Sequence, residues 1–234
     1  MTVRAQPSPQ PSDRVAAANG RRVWVILVVA PLLWLGLWLA GRTLWPQVSG
    51  GVIGQISQSL RPWVTLVTEI SLLMWVALWL RKAGRGLADI GLTADWLGRE
   101  TLVGLLAGLI LWVVAQVPLW LLGFRDMNPA SGLRLTVGTP TRLLYVIGVA
   151  VCEEVIWRGY AITELHRLYR LSASVVIAVI AFAVFYLGQT VLVDWLTLPL
   201  MLYVGGWLSV LYLWRRSLIA PMVAHVVLGG LGFV

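Results

Sequence analysis

Cysteine is nearly absent from this chain. Cys152 is the single one in 234 residues, so no internal disulfide can form. No C-x-x-C pair exists, which removes the common thiolate zinc sites. Charge is also scarce. Asp, Glu, Lys and Arg together make up 12% of the residues, about half the share of an ordinary soluble domain. Acids are the rarer sign, with 10 Asp and Glu against 18 Lys and Arg and a formal net charge of +8. In a soluble protein that excess would point to nucleic acid. Here the bases lie between apolar runs and form no polar face, so they read as topology signals and argue against a nucleic-acid partner. A Gly-rich phosphate loop, an H-E-x-x-H helix and a G-x-S-x-G elbow are all missing. No internal repeat occurs.

What fills the chain instead is apolar, at 59% of residues. Seven apolar segments follow one another, roughly Val23–Ala40, Val64–Leu80, Thr101–Leu122, Leu143–Leu165, Ser172–Leu187, Trp195–Trp214 and Leu218–Val234. A helix needs about 20 residues to cross the hydrocarbon core. The fold class expected is therefore all-α, a polytopic transmembrane helical bundle of about seven spans. The fifth and seventh segments are short, and a six-span bundle with one of them re-entrant is the alternative. Several tryptophans, among them Trp24, Trp45, Trp63, Trp120, Trp195 and Trp214, fall near segment ends, where interfacial belts favour them.

Residues 1–20 contain Pro7, Pro9 and Pro11 and few large apolar side chains. They read as a disordered cytoplasmic tail, with the helical domain at 21–234. The basic flank and apolar run begin at Arg21, later than a cleavable signal peptide requires. With the N-terminus inside and seven crossings, thirteen of the Lys and Arg residues, including Arg81, Lys82, Arg85, Arg99, Arg167, Arg170, Arg215 and Arg216, fall on the cytoplasmic side. Five (Arg42, Arg61, Arg125, Arg134 and Arg142) fall outside. The positive-inside rule then favours N-in. The compact, signal-free, arginine-rich chain reads as bacterial, so the expected location is a bacterial cytoplasmic membrane, with membrane lipid as one partner.

A charge in mid-membrane costs several kcal/mol unless paired or hydrated, so ionisable residues inside the segments mark the candidate site. The strongest are Glu153 and Glu154 with Arg158, halfway along the fourth segment. Residues four apart share a helix face, so Glu154 can reach Arg158. Glu153 points about 100° away and could face a cavity by itself. One carboxylate is then neutralised and the other is left for general-base work, although a structural ion pair would use the same spacing. His225 lies in the seventh segment, where a histidine can as readily bond a neighbouring carbonyl. Glu69, after Thr65 and Thr68, reads as an inter-helix polar contact. Gln189 and Asp194 read as solvated turn residues. Glu164, His166, Arg167 and Arg170 gather at the cytoplasmic end of the fourth segment.

The run Glu153-Glu154-Val155-Ile156-Trp157-Arg158-Gly159-Tyr160 resembles the first motif, E-E-x-x-x-R, of the CPBP family, the CAAX-protease and bacteriocin-processing membrane proteins also called Abi. Asp89-Ile90-Gly91-Leu92 and Ser217-Leu218-Ile219-Ala220-Pro221-Met222-Val223-Ala224-His225 resemble two further parts of it, so that a family-like core covers about residues 87–230. The resemblance implies an intramembrane glutamate-type endopeptidase acting on membrane-associated peptides or proteins. Glu153 would activate a water, Glu154 would support it and pair with Arg158, and His225 would stabilise the oxyanion. Two positions depart from the family pattern. The second motif, F-x-x-x-H, is Phe182-Ala183-Val184-Phe185-Tyr186, with Tyr186 where histidine is expected. Gly229 stands where a polar oxyanion partner is expected. These departures point to the alternative: a catalytically impaired relative that serves as a membrane binding, scaffold or immunity protein. No cofactor is expected. A catalytic zinc usually needs three good protein ligands, whereas His225 and one glutamate are available and Tyr186 takes the third place. A transporter using Glu69, Glu153 and Glu154 lacks the inverted repeats and broken helices common to such proteins.

Overall fold

The computed structural model describes residues 22–29, 32, 52–121, 139–189 and 197–231. Every regular element among them is helical. Residues 22–29 form α1. Then come α2 (Val52–Lys82), a 3-10 turn (Leu87–Ile90), α3 (Leu97–Leu121) and α4 (Thr139–Glu153). From α4 the chain passes without a break into a π-helical stretch, Glu154–Ala161, and on into α5 (Ile162–His166). The remaining elements are α6 (Leu171–Gln189), α7 (Thr197–Arg215) and α8 (Ile219–Gly230). The proposed tail lies outside the described residues, as do Trp45, Trp195, Asp194, Arg42, Arg125 and Arg134. Gln189 closes α6 and does not begin a turn.

The all-α expectation is met. Among the described residues two helices, Trp63–Lys82 and Leu97–Val117, are long and apolar enough to cross a membrane, against the seven spans expected, and Leu171–Tyr186 and Ile219–Gly230 are shorter apolar helices. Large apolar side chains face outward as well as inward, and ionisable groups lie inside. Val67, Met74 and Leu78 on α2 and Leu102, Leu106 and Ile110 on α3 are exposed, while Glu69, Glu153, Glu154 and Arg158 are buried. Apolar surface on that scale marks contact with lipid or protein, and buried ionisable groups are the pattern of bundles that sit in lipid.

Close helix contact needs small residues, because hydrocarbon supplies no hydrophobic drive between helices. Gly104 and Gly108 on α3 provide it. A Cβ at Gly104 would stand 2.5 Å from the Ala220 carbonyl oxygen, and one at Gly108 would stand 2.8 Å from that of Ala224. Helix α8 lies along α3 on this seam, and the seam fixes the height of His225. Gly205 on α7 meets the Phe182 ring of α6 in the same manner, with a Cβ distance of 3.0 Å. The Asp89-Ile90-Gly91-Leu92 turn clamps the start of α8. Gly91 takes a left-handed φ of 94°. Its carbonyl accepts from the Leu218 amide at 2.8 Å, and the Ile90 carbonyl accepts from the Tyr212 hydroxyl at 3.0 Å.

Candidate active site

Three elements bring the site together: the α4–π junction, α6 and α8. The π-helical stretch begins at Glu154 and is buried throughout. Such stretches are rare and concentrate at functional sites. Its hydrogen-bond shift leaves no trace in composition, so the sequence reads the region as an uninterrupted helix.

Glu153 and Glu154 are both fully buried. Arg158 Nη1 donates to Glu154 Oε1 at 3.0 Å, the pair expected from the spacing, and Nη2 reaches the Gly205 carbonyl at 3.5 Å. The guanidinium lies 4.3 Å from the centre of the Phe182 ring, a favourable cation–π placement. The bare backbone at Gly205 therefore serves twice, admitting Phe182 and offering a carbonyl to Arg158.

His225 links the two carboxylates. Its Nδ1 stands 2.8 Å from Glu154 Oε1, and its Nε2 stands 3.7 Å from Glu153 Oε2. A carboxylate only accepts, so the short contact makes Nδ1 the donor and turns Nε2 toward Glu153. The expectation that Glu153 faces a cavity by itself is thus replaced by a shared arrangement in which one imidazole spans the pair.

Tyr186 occupies the place of the expected histidine and still reaches the site. Its hydroxyl donates to Glu153 Oε2 at 3.0 Å. Ring packing aims it: Tyr186 packs tilted against Phe182 with centroids 4.9 Å apart, and Phe182 and Phe185 both pack on Trp157. Glu153 Oε1 and Glu154 Oε2 make no hydrogen bond among the described residues. Gly229 belongs to packing. A Cβ there would stand 2.7 Å from Val146 Cγ1 on α4, so a larger polar side chain does not fit beside the present Val146.

Among the described residues no group of three or more His, Cys, Asp or Glu side chains is placed to hold a metal ion. The donors explain this. His225 spends Nδ1 on Glu154, and the third neighbour of Glu153 is a phenol, so the set does not complete a zinc site. Away from this centre, Glu164 pairs with Arg85 and Arg167, and Glu100 pairs with Arg215. An apolar groove of about 350 Å³ runs between α3 and α7 with Ala224, the neighbour of His225, in its wall. Gly104-x-x-x-Gly108 was not among the expected site residues, and Glu69 was expected as an inter-helix polar contact or as part of a transporter's polar path. The glycine spacing was a usable signal for the first, whereas the second depends on how α2 registers against α4.

Residues 136–230, from the approach to α4 through α8, match the family model described as type II CAAX prenyl endopeptidase Rce1-like. The resemblance carried by the E-E-x-x-x-R run and the His225 segment is borne out over this region, which matches the CAAX-protease family within the CPBP/Abi superfamily, while residues 87–135 lie outside the match. No curated protein and no solved structure matches the chain.

Proposed function

We propose, from the family relationship of residues 136–230, that this chain is a multi-pass intramembrane endopeptidase with Glu153 as its base. The observation that carries the reading is the constellation around Glu153. One oxygen accepts from Tyr186, the other makes no internal hydrogen bond, and His225 Nε2 stands beside them. Glu153 would take a proton from a water as that water attacks a peptide carbonyl, and would pass it to the leaving nitrogen. Glu154, held by Arg158, fixes the His225 ring through Nδ1. An N–H at Nε2, present when the ring carries a proton on both nitrogens, would donate to the oxyanion, a contribution typically worth about 3 kcal/mol of barrier. The groove beside Ala224 supports a membrane-embedded, apolar substrate segment.

The seven-span, N-in topology belongs to this proposal. It is supported by what meets at one end of the bundle. Arg85 pairs with Glu164, Arg215 with Glu100, and Leu218 with Gly91. All these residues lie in, or at the span ends that border, the stretches that the charge count assigns to the cytoplasmic side.

The packing of Gly229 on Val146 favours the second reading, a non-catalytic relative that binds peptides or membrane proteins, because no side-chain donor faces the oxyanion from that position. One experiment separates the two. Purified protein in lipid is given a quenched transmembrane peptide library. The first reading expects cleavage by the parent and at least about a hundredfold loss in Glu153→Gln. Equal turnover by parent and variant would sink it. A silent parent whose Tyr186→His, Gly229→Asn, Val146→Ala triple variant cleaves would establish the second.

A further inference from the structure

Helices α3 and α7 both pack on α8 and leave a groove of about 350 Å³ between them, with Ala224 of α8 in its wall. The start of α3 meets the end of α7, where Arg215 Nε donates to Glu100 Oε2 at 3.1 Å. The two walls therefore run in opposite directions. One extends from Val103 to Val114 and the other from Trp214 back to Tyr203, eleven residues along each. At 1.5 Å per residue the groove is about 16 Å long, close to half of a hydrocarbon core of about 30 Å. It is as deep as one leaflet.

Its width decides what fits. The volume spread over that length leaves a mean cross-section of roughly 20 Å². A helix about 10 Å across needs roughly four times as much. An extended peptide is narrow enough, but its N–H and C=O groups would go unpaired against walls made mainly of Val, Leu, Ile and Trp. A hydrocarbon tail has the width and carries no polar group to satisfy.

The mouth of the groove adds a charge. Trp214 is exposed there, as tryptophans at a membrane–water interface are, and the Arg215 guanidinium lies 5.0 Å from its ring centre. Arg99 is exposed one turn before Val103, on the stripe of α3 that carries Val103, Leu106 and Ile110 into the groove. Arg216 is exposed at the end of α7. Glu100 answers Arg215, and Asp95 is exposed in the turn before α3. Three arginines against these two acids leave the mouth positive, which suits a phosphate headgroup.

We infer that the α3–α7 groove is a resident lipid site, in which one acyl tail of an anionic phospholipid from the adjoining leaflet lies along α3 and α7 with its headgroup at Arg99. This rests on the membrane placement proposed above and not on turnover. A substrate helix is too wide to enter, so it would lay side chains over the groove by displacing the tail.

Native mass spectrometry of the full chain, released from detergent after incubation with phosphatidylglycerol or with phosphatidylcholine of the same tails, tests it. The parent is expected to retain one phosphatidylglycerol, with about a tenfold preference over phosphatidylcholine. Ala107→Phe and Val210→Trp, which put bulk into the groove, are expected to retain at most about a tenth as much of either lipid. Arg99→Gln is expected to bind the two lipids alike. Leu105→Phe, at an exposed position of α3 outside the groove, should match the parent. A parent that retains no lipid, retains both equally, holds detergent instead, or appears as a lipid-free dimer overturns the inference, as do groove variants that bind as the parent does. Should Ala107→Phe fail to fold, Val210→Trp, which alters an exposed side chain, decides by the same rule. Glu153→Gln should keep its lipid, so failure of the peptidase reading appears in the cleavage assay and failure of this one in the retained mass.

Discussion

Tyr186 carries a single oxygen that decides how Glu153 is held. A hydrogen bond to a charged partner is worth about 1.5–3 kcal/mol, and each 1.4 kcal/mol is a factor of ten in rate. Tyr186→Phe keeps the ring on Phe182 and deletes the donor to Glu153. It is expected to lower kcat by about ten- to a hundredfold with little change in KM, measured by peptide cleavage. An unchanged kcat would reduce Tyr186 to packing. The pairing of Glu154 with Arg158 was legible in the sequence because it is local, set by helix repeat and charge sign. The contact of Tyr186 with Glu153 was not. It joins residues 33 positions apart and depends on how the rings of Tyr186, Phe182 and Trp157 pack edge to face and tilted against one another. Gly229 shows the converse: as a departure from a motif it reads as a missing donor, whereas the fold uses its small size against Val146.

Helix α8 is short, and it carries His225, so its placement must come from neighbours. The glycines of α3 let the two backbones approach, and the Gly91 turn holds the α8 entrance through the Leu218 amide. Pro221 fits because it sits in the first turn, where its missing N–H costs no helical bond. Gly104→Leu would drive a side chain into the Ala220 carbonyl, a backbone atom that cannot rotate away. Overpacking of this kind typically costs about 1–3 kcal/mol. The expected outcome is a lower Tm in detergent together with loss of cleavage, since His225 moves with α8. A variant at Gly98, around which a Cβ meets open space, should leave Tm unchanged. If Gly104→Leu melted with the parent, the seam would not be what positions α8. The existence of these helices was readable from apolar runs. The π-helical stretch and the α2–α4 register were not, since both arise from how backbones settle against one another.

At the scale of the whole molecule, charge and packing act at the same end of the bundle. The bases that the positive-inside rule counts as cytoplasmic also make ion pairs: Arg85 and Arg167 with Glu164, and Arg215 with Glu100. These pairs tie the loop before α3, the end of α5 and the end of α7 together, so a helix inserted the wrong way round would leave a buried acid without its cation. Removing one partner of such a pair is costlier than the pair itself is worth, which links orientation to stability. The native thiol, Cys152, is buried and gives a quiet background for labelling. Cys placed at Arg99 should react with a membrane-impermeant maleimide from the cytoplasmic face, and Cys placed at Leu198, which is exposed at the opposite end of α7, from the outer face. Labelling of both positions from one side would overturn the proposed multi-pass, N-in arrangement. With it would go the placement of Glu153 at mid-membrane, because Glu153 lies between these two levels.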